Sequence, residues 1–101
     1  MAMVSFKVKE LRDGMRRVDV TGVIEEMSEP RSVNLRTGGE ARVADALLHD
    51  DTGKIKVSLW DDQIDMVQNG SVVSIENGYT NSYQGEVRVN VGKYGKLSVV
   101  S

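Results

Sequence analysis

The stretch His49 to Asp62, HDDTGKIKVSLWDD, constrains this chain more than any other. Asp50-Asp51-Thr52-Gly53 reads as a tight polar turn, because Asp accepts local backbone hydrogen bonds and Gly takes positive φ. The strand that follows has two chemically different faces. Ile55, Val57 and Leu59 share one parity, and Lys54, Lys56, Ser58 and Trp60 share the other. Strand side chains alternate, so one face is apolar and the other wet. The only Trp stands on the wet side in line with two lysines. A large ring beside cations on an exposed sheet face is what stacked, unpaired bases and their phosphate backbone require.

The remaining bounds come from length, cysteine and charge. One hundred and one residues suit a single domain, 1–101, whose core needs no metal or disulfide staple. Cysteine is absent and His49 is the only histidine. That excludes a disulfide framework and a thiolate metal site, argues against zinc and allows a reducing compartment. No apolar run approaches the roughly 20 residues of a membrane span, and the N-terminus lacks a signal peptide's apolar segment. A soluble, cytoplasmic protein is expected, with no membrane partner. The formal net charge of -2 counts against attachment to nucleic acid mainly by charge. Its distribution is uneven, however. Residues 1–29 carry six acids against five bases, Asp61, Asp62 and Asp65 follow the Trp, and Arg31, Arg36, Arg42, Lys54 and Lys56 fall in the middle third. The pattern fits either a basic stripe within an acidic molecule or an ordinary solvated mixture.

Along the chain, residues 1–16 contain Phe6, Val8 and Leu11 and run into the turn dipeptide Asp13-Gly14, which predicts an N-terminal arm or first turn. Residues 17–29 alternate as one long strand, with Gly22 marking a bulge or bend. Thr37-Gly38-Gly39 is a hairpin tip, and residues 41–49 return from it. After the organising strand, Asp61 or Asp62 can cap a short helix holding Ile64, Met66 and Val67, and Asn69-Gly70 ends it. A fourth strand is predicted over 71–77, a loop over 78–85 and a fifth strand over 86–91. Five short strands and one helix between the third and fourth fit an all-β Greek-key barrel, closed or partly closed. Valine is the commonest apolar residue, so an aliphatic core leaves the aromatics free for other work.

Three of the five aromatics are Trp60, Tyr79 and Tyr83, and the tyrosines sit in the small polar segment GYTNSYQG. Stacking on bases is one use for them; capping the barrel end with wet hydroxyls is the other. Tyr79 shares parity with the apolar Val73 and Ile75, which favours capping unless Gly78 introduces a bulge. Asp51-Thr52-Gly53 matches the triplet of aspartic proteases, but Lys54 after it and His49-Asp50 before it are the wrong neighbours. The polar turn explains the same residues. Asp50, Asp51, Asp61 and Asp62 offer oxygen ligands without the spacing of a dedicated calcium site, and Trp60 with Met66 has no phosphate-binding glycine loop beside it. No metal or cofactor is expected.

Taken together, Asp51-Thr52-Gly53 with KIKVSLWDD, Gly70 before the fourth strand, Gly78-Tyr79 and Tyr83-Gln84-Gly85 carry a resemblance. Over about residues 7–97 the chain resembles the single-OB-fold, single-stranded DNA-binding proteins of archaea and their eukaryotic relatives in DNA-damage sensing. The resemblance implies a five-stranded Greek-key OB-fold barrel and a non-enzymatic role in replication and repair. It implies that Trp60, Tyr79 and Tyr83 stack on successive bases and that Arg36, Arg42, Lys54 and Lys56 follow the phosphates. It also supports a bulge at Gly78. An aromatic that some relatives carry on the fifth strand is matched here by Asn90. Many relatives continue into a Gly-rich or acidic tail that recruits partners, whereas this sequence stops at Ser101, so tail-mediated recruitment is not part of the expectation. Single-stranded DNA is the expected partner, with RNA binding or a role as a protein adaptor in replication or repair as alternatives. A monomer or weak oligomer is expected, nucleoid-associated if the source is archaeal.

Overall fold

Alternating valine and isoleucine commit most of this chain to strands, and the strands remove their own edges by closing on one another. The computed structural model describes residues 5–92 and 95–100, with Tyr83 described by its backbone alone. A single 3-10 turn at Val8–Glu10 is followed by β1 (Arg16–Glu25), β2 (Arg31–Asn34), β3 (Glu40–Asp50), β4 (Gly53–Trp60), α1 (Asp62–Met66), β5 (Val72–Tyr83), β6 (Glu86–Asn90) and β7 (Lys96–Val99). β1 pairs with β3, β3 with β4, β4 with β6, β6 with β5, and β5 returns to β1, so five strands close a barrel. Every pairing in that circuit is antiparallel except β4 with β6. These are the five strands predicted, with the helix between the third and fourth of them. β2 forms a hairpin with β3, and β7 adds to β5 beyond the barrel circuit.

The core is aliphatic. Ile55, Val57 and Leu59 turn inward as their parity predicts and meet Val18, Val20, Ile24, Leu48, Val73, Ile75 and Val89, all buried. Each such side chain contributes at most about 1.5–3 kcal/mol through burial. One end of the barrel is closed by the 3-10 turn, tied to the β3–β4 turn through Asp50. The Asp50 carboxylate accepts hydrogen bonds from the Val8 N–H (2.9 Å), the Thr52 N–H (2.7 Å) and the Thr52 hydroxyl. Burial pushes this carboxyl up, but those bonds and one from the Gly53 backbone outweigh it and hold the group down at about 2. The Asp50–Gly53 segment is therefore the polar turn that its composition predicts.

Several boundaries differ from those read off the sequence. Residues 78–83 are not a loop: β5 runs through them and turns only at Gln84-Gly85. Small polar residues suggest a loop locally, but here Tyr79 pairs with both β1 and β6 and Asn81 pairs with β6, so the sheet satisfies the backbone. β1 ends at Glu25 rather than Glu29, where Glu26 adopts φ 52°. Gly22 marks no bulge; a β-carbon there would lie 2.6 Å from the His49 carbonyl oxygen, so the glycine permits close approach of β1 to β3. Asp61 precedes α1 without capping it, because its carboxylate accepts instead from the Arg42 N–H at 2.9 Å. α1 contains Ile64 and Met66 as predicted and ends one residue before Val67; Ile64 and Val67 are buried and Met66 is exposed. Of the arm read over 1–16, residues 1–4 lie outside the described residues.

Candidate nucleic-acid interface

Register decides which side chains share the barrel's outer face. The predicted wet face of β4 places Trp60 opposite Val43, Ser58 opposite Asp45, Lys56 opposite Leu47 and Lys54 opposite His49. Cross-strand partners project to the same side of a sheet. Following Ser58 across the barrel gives one continuous row: Asp45, Ser58, Asn90, Tyr79 and Arg16 occupy successive register positions on β3, β4, β6, β5 and β1. A second row holds Lys56, Arg88 and Asn81.

Tyr79 reaches this face because β5 is irregular. From Val73 and Ile75, both fully buried, strict alternation would carry Tyr79 into the core. Between the pairs Val20–Ile75 and Val18–Gly78, however, β1 advances two residues and β5 three. The extra residue, Asn77, adopts φ 55° and its N–H donates to Asp19 Oδ1 at 2.8 Å. Beyond this bulge Gly78 and Thr80 are buried and Tyr79 faces out, 41% exposed. Gly78 is confined in turn: a β-carbon there would meet the Asn90 carbonyl oxygen at 2.6 Å. The bulge anticipated at Gly78 is thus present one residue earlier, and it moves the tyrosine from the core to the surface.

Trp60 is 39% exposed, and it and Tyr79 line one cleft of about 350 Å³ together with Gln63, Asn90 and Gly92. Gln63 Oε1 accepts from the Trp60 N–H at 3.0 Å, which ties the start of α1 to the end of β4. Gly92 lies so close beneath the Tyr79 ring that a β-carbon there would be 2.8 Å from Tyr79 Cε1. Asn90, which the sequence resemblance sets against an aromatic of some relatives, is buried and donates through Nδ2 to Asn81 Oδ1 at 3.2 Å. Tyr83 occupies the register position opposite Glu86; its side chain lies outside the described residues.

The cations of this face come with carboxylates. Lys56 Nζ lies 3.2 Å from Glu86 and Lys54 Nζ 3.9 Å from Glu25, whose other oxygen is 2.7 Å from His49 Nε2. Asp45 lies between Arg88 at 3.1 Å and Arg31 at 3.4 Å. Arg42 has the opposite parity from Trp60's partner Val43 and turns to the helix side, where Asp65 binds its guanidinium at 2.8 Å. Hydrogen bonding and charge from Asp65, with smaller contributions from Asp61 and Asp62, raise its pKa above the ordinary value. Arg36 stands at the exposed β2–β3 tip, beyond the last pair of that hairpin, Asn34 with Glu40. Two cations that sequence reasoning passed over, Arg16 and Arg17, flank Tyr79. Their signal was weak, because at the start of a strand they read as part of the preceding turn. Among the described residues no group of three or more His, Cys, Asp or Glu side chains is gathered to hold a metal ion.

A closed five-stranded barrel with its helix between the third and fourth strands, and with aromatic and polar side chains open on its outer face, defines the OB-fold class. Within that class, residues 8–99 match the family described as single-stranded DNA binding protein Ssb-like, OB fold, and the chain belongs to it. It is similar to the single-stranded DNA binding protein Ssb of Saccharolobus solfataricus, 34% identical over 95 residues, which covers 94% of this chain and 64% of that protein. It is also similar to Replication factor A of Methanothermobacter thermautotrophicus, 40% identical over 72 residues, 70% of this chain and 9% of that protein. The chain therefore spans less than two thirds of the length of either relative. Among solved structures, the OB domain of Ta0387 from Thermoplasma acidophilum superposes with a TM-score of 0.81 at 22% identity, covering 95% of this chain and 86% of that one. The second OB-fold domain of replication protein A from Methanococcus maripaludis gives 0.79 at 18% identity, covering 97% and 96%. Those two likenesses establish the fold.

Proposed function

We propose that this chain is a non-enzymatic single-stranded DNA-binding protein of DNA replication and repair, with little sequence preference. Trp60, Tyr79 and Tyr83 offer their faces to successive bases. Lys54 and Lys56 meet phosphates once they exchange their carboxylate partners, Arg36 meets them from the hairpin tip, and Arg42, held by Asp65, contributes least. The observation that carries this reading is that Trp60 and Tyr79, about two fifths exposed, share one cleft on the outer face of a barrel whose core is already filled by aliphatic groups. Stacking is sequence-tolerant because every base has a π-face, and each stacked base is worth on the order of 1–3 kcal/mol. Family membership supports it, as do the two relatives, a single-stranded DNA binding protein and a Replication factor A. No helix among the described residues is long and apolar enough to cross a membrane.

The test uses the only tryptophan. Titration with oligo-dT is expected to quench Trp60 fluorescence at low and at high salt, with a shallow salt dependence, since few phosphates are neutralised and each contributes roughly 0.7 to the slope on a single strand. Absence of quenching, or complete loss of binding at moderate salt, refutes stacking as the main source of affinity. Competition by oligo-U in the same titration decides between DNA and RNA, because the 2′-hydroxyl is the difference a site can sense.

A further inference from the structure

We propose that Arg16 and Arg17 form a phosphate-binding site on β1 that extends the nucleic-acid path past the aromatic rings and supplies most of its salt dependence. The proposal rests on the single-strand-binding reading above. Its ligand is the phosphodiester of the strand whose bases stack on Trp60 and Tyr79.

Placement is the first argument. Arg16 is the direct cross-strand partner of Tyr79 and continues the row that runs from Asp45 through Ser58 and Asn90. Tyr79 lines two clefts: one shared with Trp60, and a larger one of about 540 Å³ whose walls include Arg16, Arg17, Asn77 and Gly78. A strand laid over both rings therefore leaves Tyr79 on the side of the arginines.

Charge is the second. Lys54, Lys56 and Arg42 each have a carboxylate partner, so a phosphate that takes one of them displaces an anion already present. Among the described residues no carboxylate forms an ion pair with Arg16 or Arg17. The acids nearest to them in sequence make other contacts: Asp13 Oδ2 accepts from the Ser82 hydroxyl at 3.1 Å and Asp19 Oδ1 from the Asn77 N–H at 2.8 Å. Unpaired cations add their full charge to a phosphate and release its counterions, and a guanidinium matches phosphate oxygens two at a time.

Rigidity is the third. The turn before β1 is clamped to β5 by Thr80, whose N–H donates to the Met15 carbonyl at 3.0 Å and whose hydroxyl accepts from the Met15 N–H at 2.8 Å and donates to the Arg12 carbonyl. Arg17 adopts φ 54°, a left-handed conformation that residues bearing a β-carbon rarely take. Backbone geometry is thus no reason for an arginine at that position.

The experiment compares the slope of log affinity against log salt, read from Trp60 quenching by oligo-dT, for the native protein, Arg16→Gln, the Arg16→Gln/Arg17→Gln pair and the Lys54→Gln/Lys56→Gln pair. Arg16→Gln is expected to lower the slope by about 0.7 and the double arginine variant by about 1.4. The quench at saturation should stay near the native value, because the Trp60 stack is untouched. The lysine pair is expected to lower the slope by less than half as much as the arginine pair. Arginine variants with the native slope overturn the site, and so does a lysine pair that loses as much. Native protein that fails to quench refutes the stacking reading on which the site rests, a result distinct from native protein that quenches while its arginine variants keep their slope. Should the double variant fold poorly in a thermal melt, Arg16→Gln alone, which leaves Arg17 and its φ of 54° in place, decides the matter.

Discussion

Replacing Tyr79 with Ala removes one of the proposed stacking faces and leaves Trp60 as the fluorescent reporter. The residue is 41% exposed, with Gly92 lying directly under the ring, so the larger part of it is covered by protein. A fully buried tyrosine covers on the order of 150–200 Å², and the covered share here is about 100 Å². At about 25 cal/mol per Å² its loss costs the fold at most about 2.5 kcal/mol. For a domain of this size each kcal/mol moves the melting temperature by about 4–8 °C, so the variant should melt lower by at most about 10–20 °C and remain folded at room temperature. Binding carries a separate penalty. Losing one base stack of about 1–3 kcal/mol raises Kd for oligo-dT by about 5- to 150-fold. The lost interaction is uncharged, so the ratio of variant to native Kd should hold from low to high salt, unlike the ratio for an arginine variant. Tyr79→Phe, which keeps the ring face, should restore most of the affinity. A Kd within about twofold of native for Tyr79→Ala, alongside the expected drop in melting temperature, would show that the ring is packing and not a platform.

Two further predictions concern the frame that holds the rings. Gly78→Ala introduces a β-carbon 2.6 Å from the Asn90 carbonyl oxygen and 2.9 Å from Ile75 Cγ2; overpacking against backbone of this kind costs about 1–3 kcal/mol, and an unchanged melting temperature would refute the tight β5–β6 approach. Asp50 is held at about 2 against an ordinary 3.8, so in that interval the unfolded chain binds the more protons: stability is in place above pH 3.8 and lost as pH falls towards about 2. Urea midpoints for Asp50→Asn should be flatter than native over that window, and parallel curves would exclude Asp50 as a source of acid sensitivity.

The local alternation of β4 was enough to read its two faces, because Ile55, Val57 and Leu59 differ so sharply from Lys54, Lys56 and Trp60. The same rule applied to β5 points Tyr79 inward, and the structure reverses it with one extra residue at Asn77, stabilised by a hydrogen bond to an aspartate 58 positions away in the chain. Nothing local to β5 announces that partner. The segment 78–83 reads as a loop for a related reason: Asn81 and Ser82 have low strand propensity, and only pairing with distant β6 makes them a strand. Charge was the least legible property. Lys54 and Lys56 look like free cations in a one-dimensional chain, and only the fold brings Glu25 and Glu86 to them. Arg16 and Arg17, by contrast, acquire their interest solely from the register that sets them beside Tyr79.

The carboxylates interleaved among the cations of the outer sheet bear on which form of DNA the proposed surface would favour. Double-helical DNA offers a dense, rigid line of charge and keeps its base faces hidden within the stack. A surface on which Asp45, Glu25 and Glu86 already answer most of the positive groups has little to exchange for such a ligand. Melted DNA offers the same surface something that it cannot supply for itself, flat apolar faces for its rings. On the proposed reading, the acidic side chains themselves weigh against the duplex.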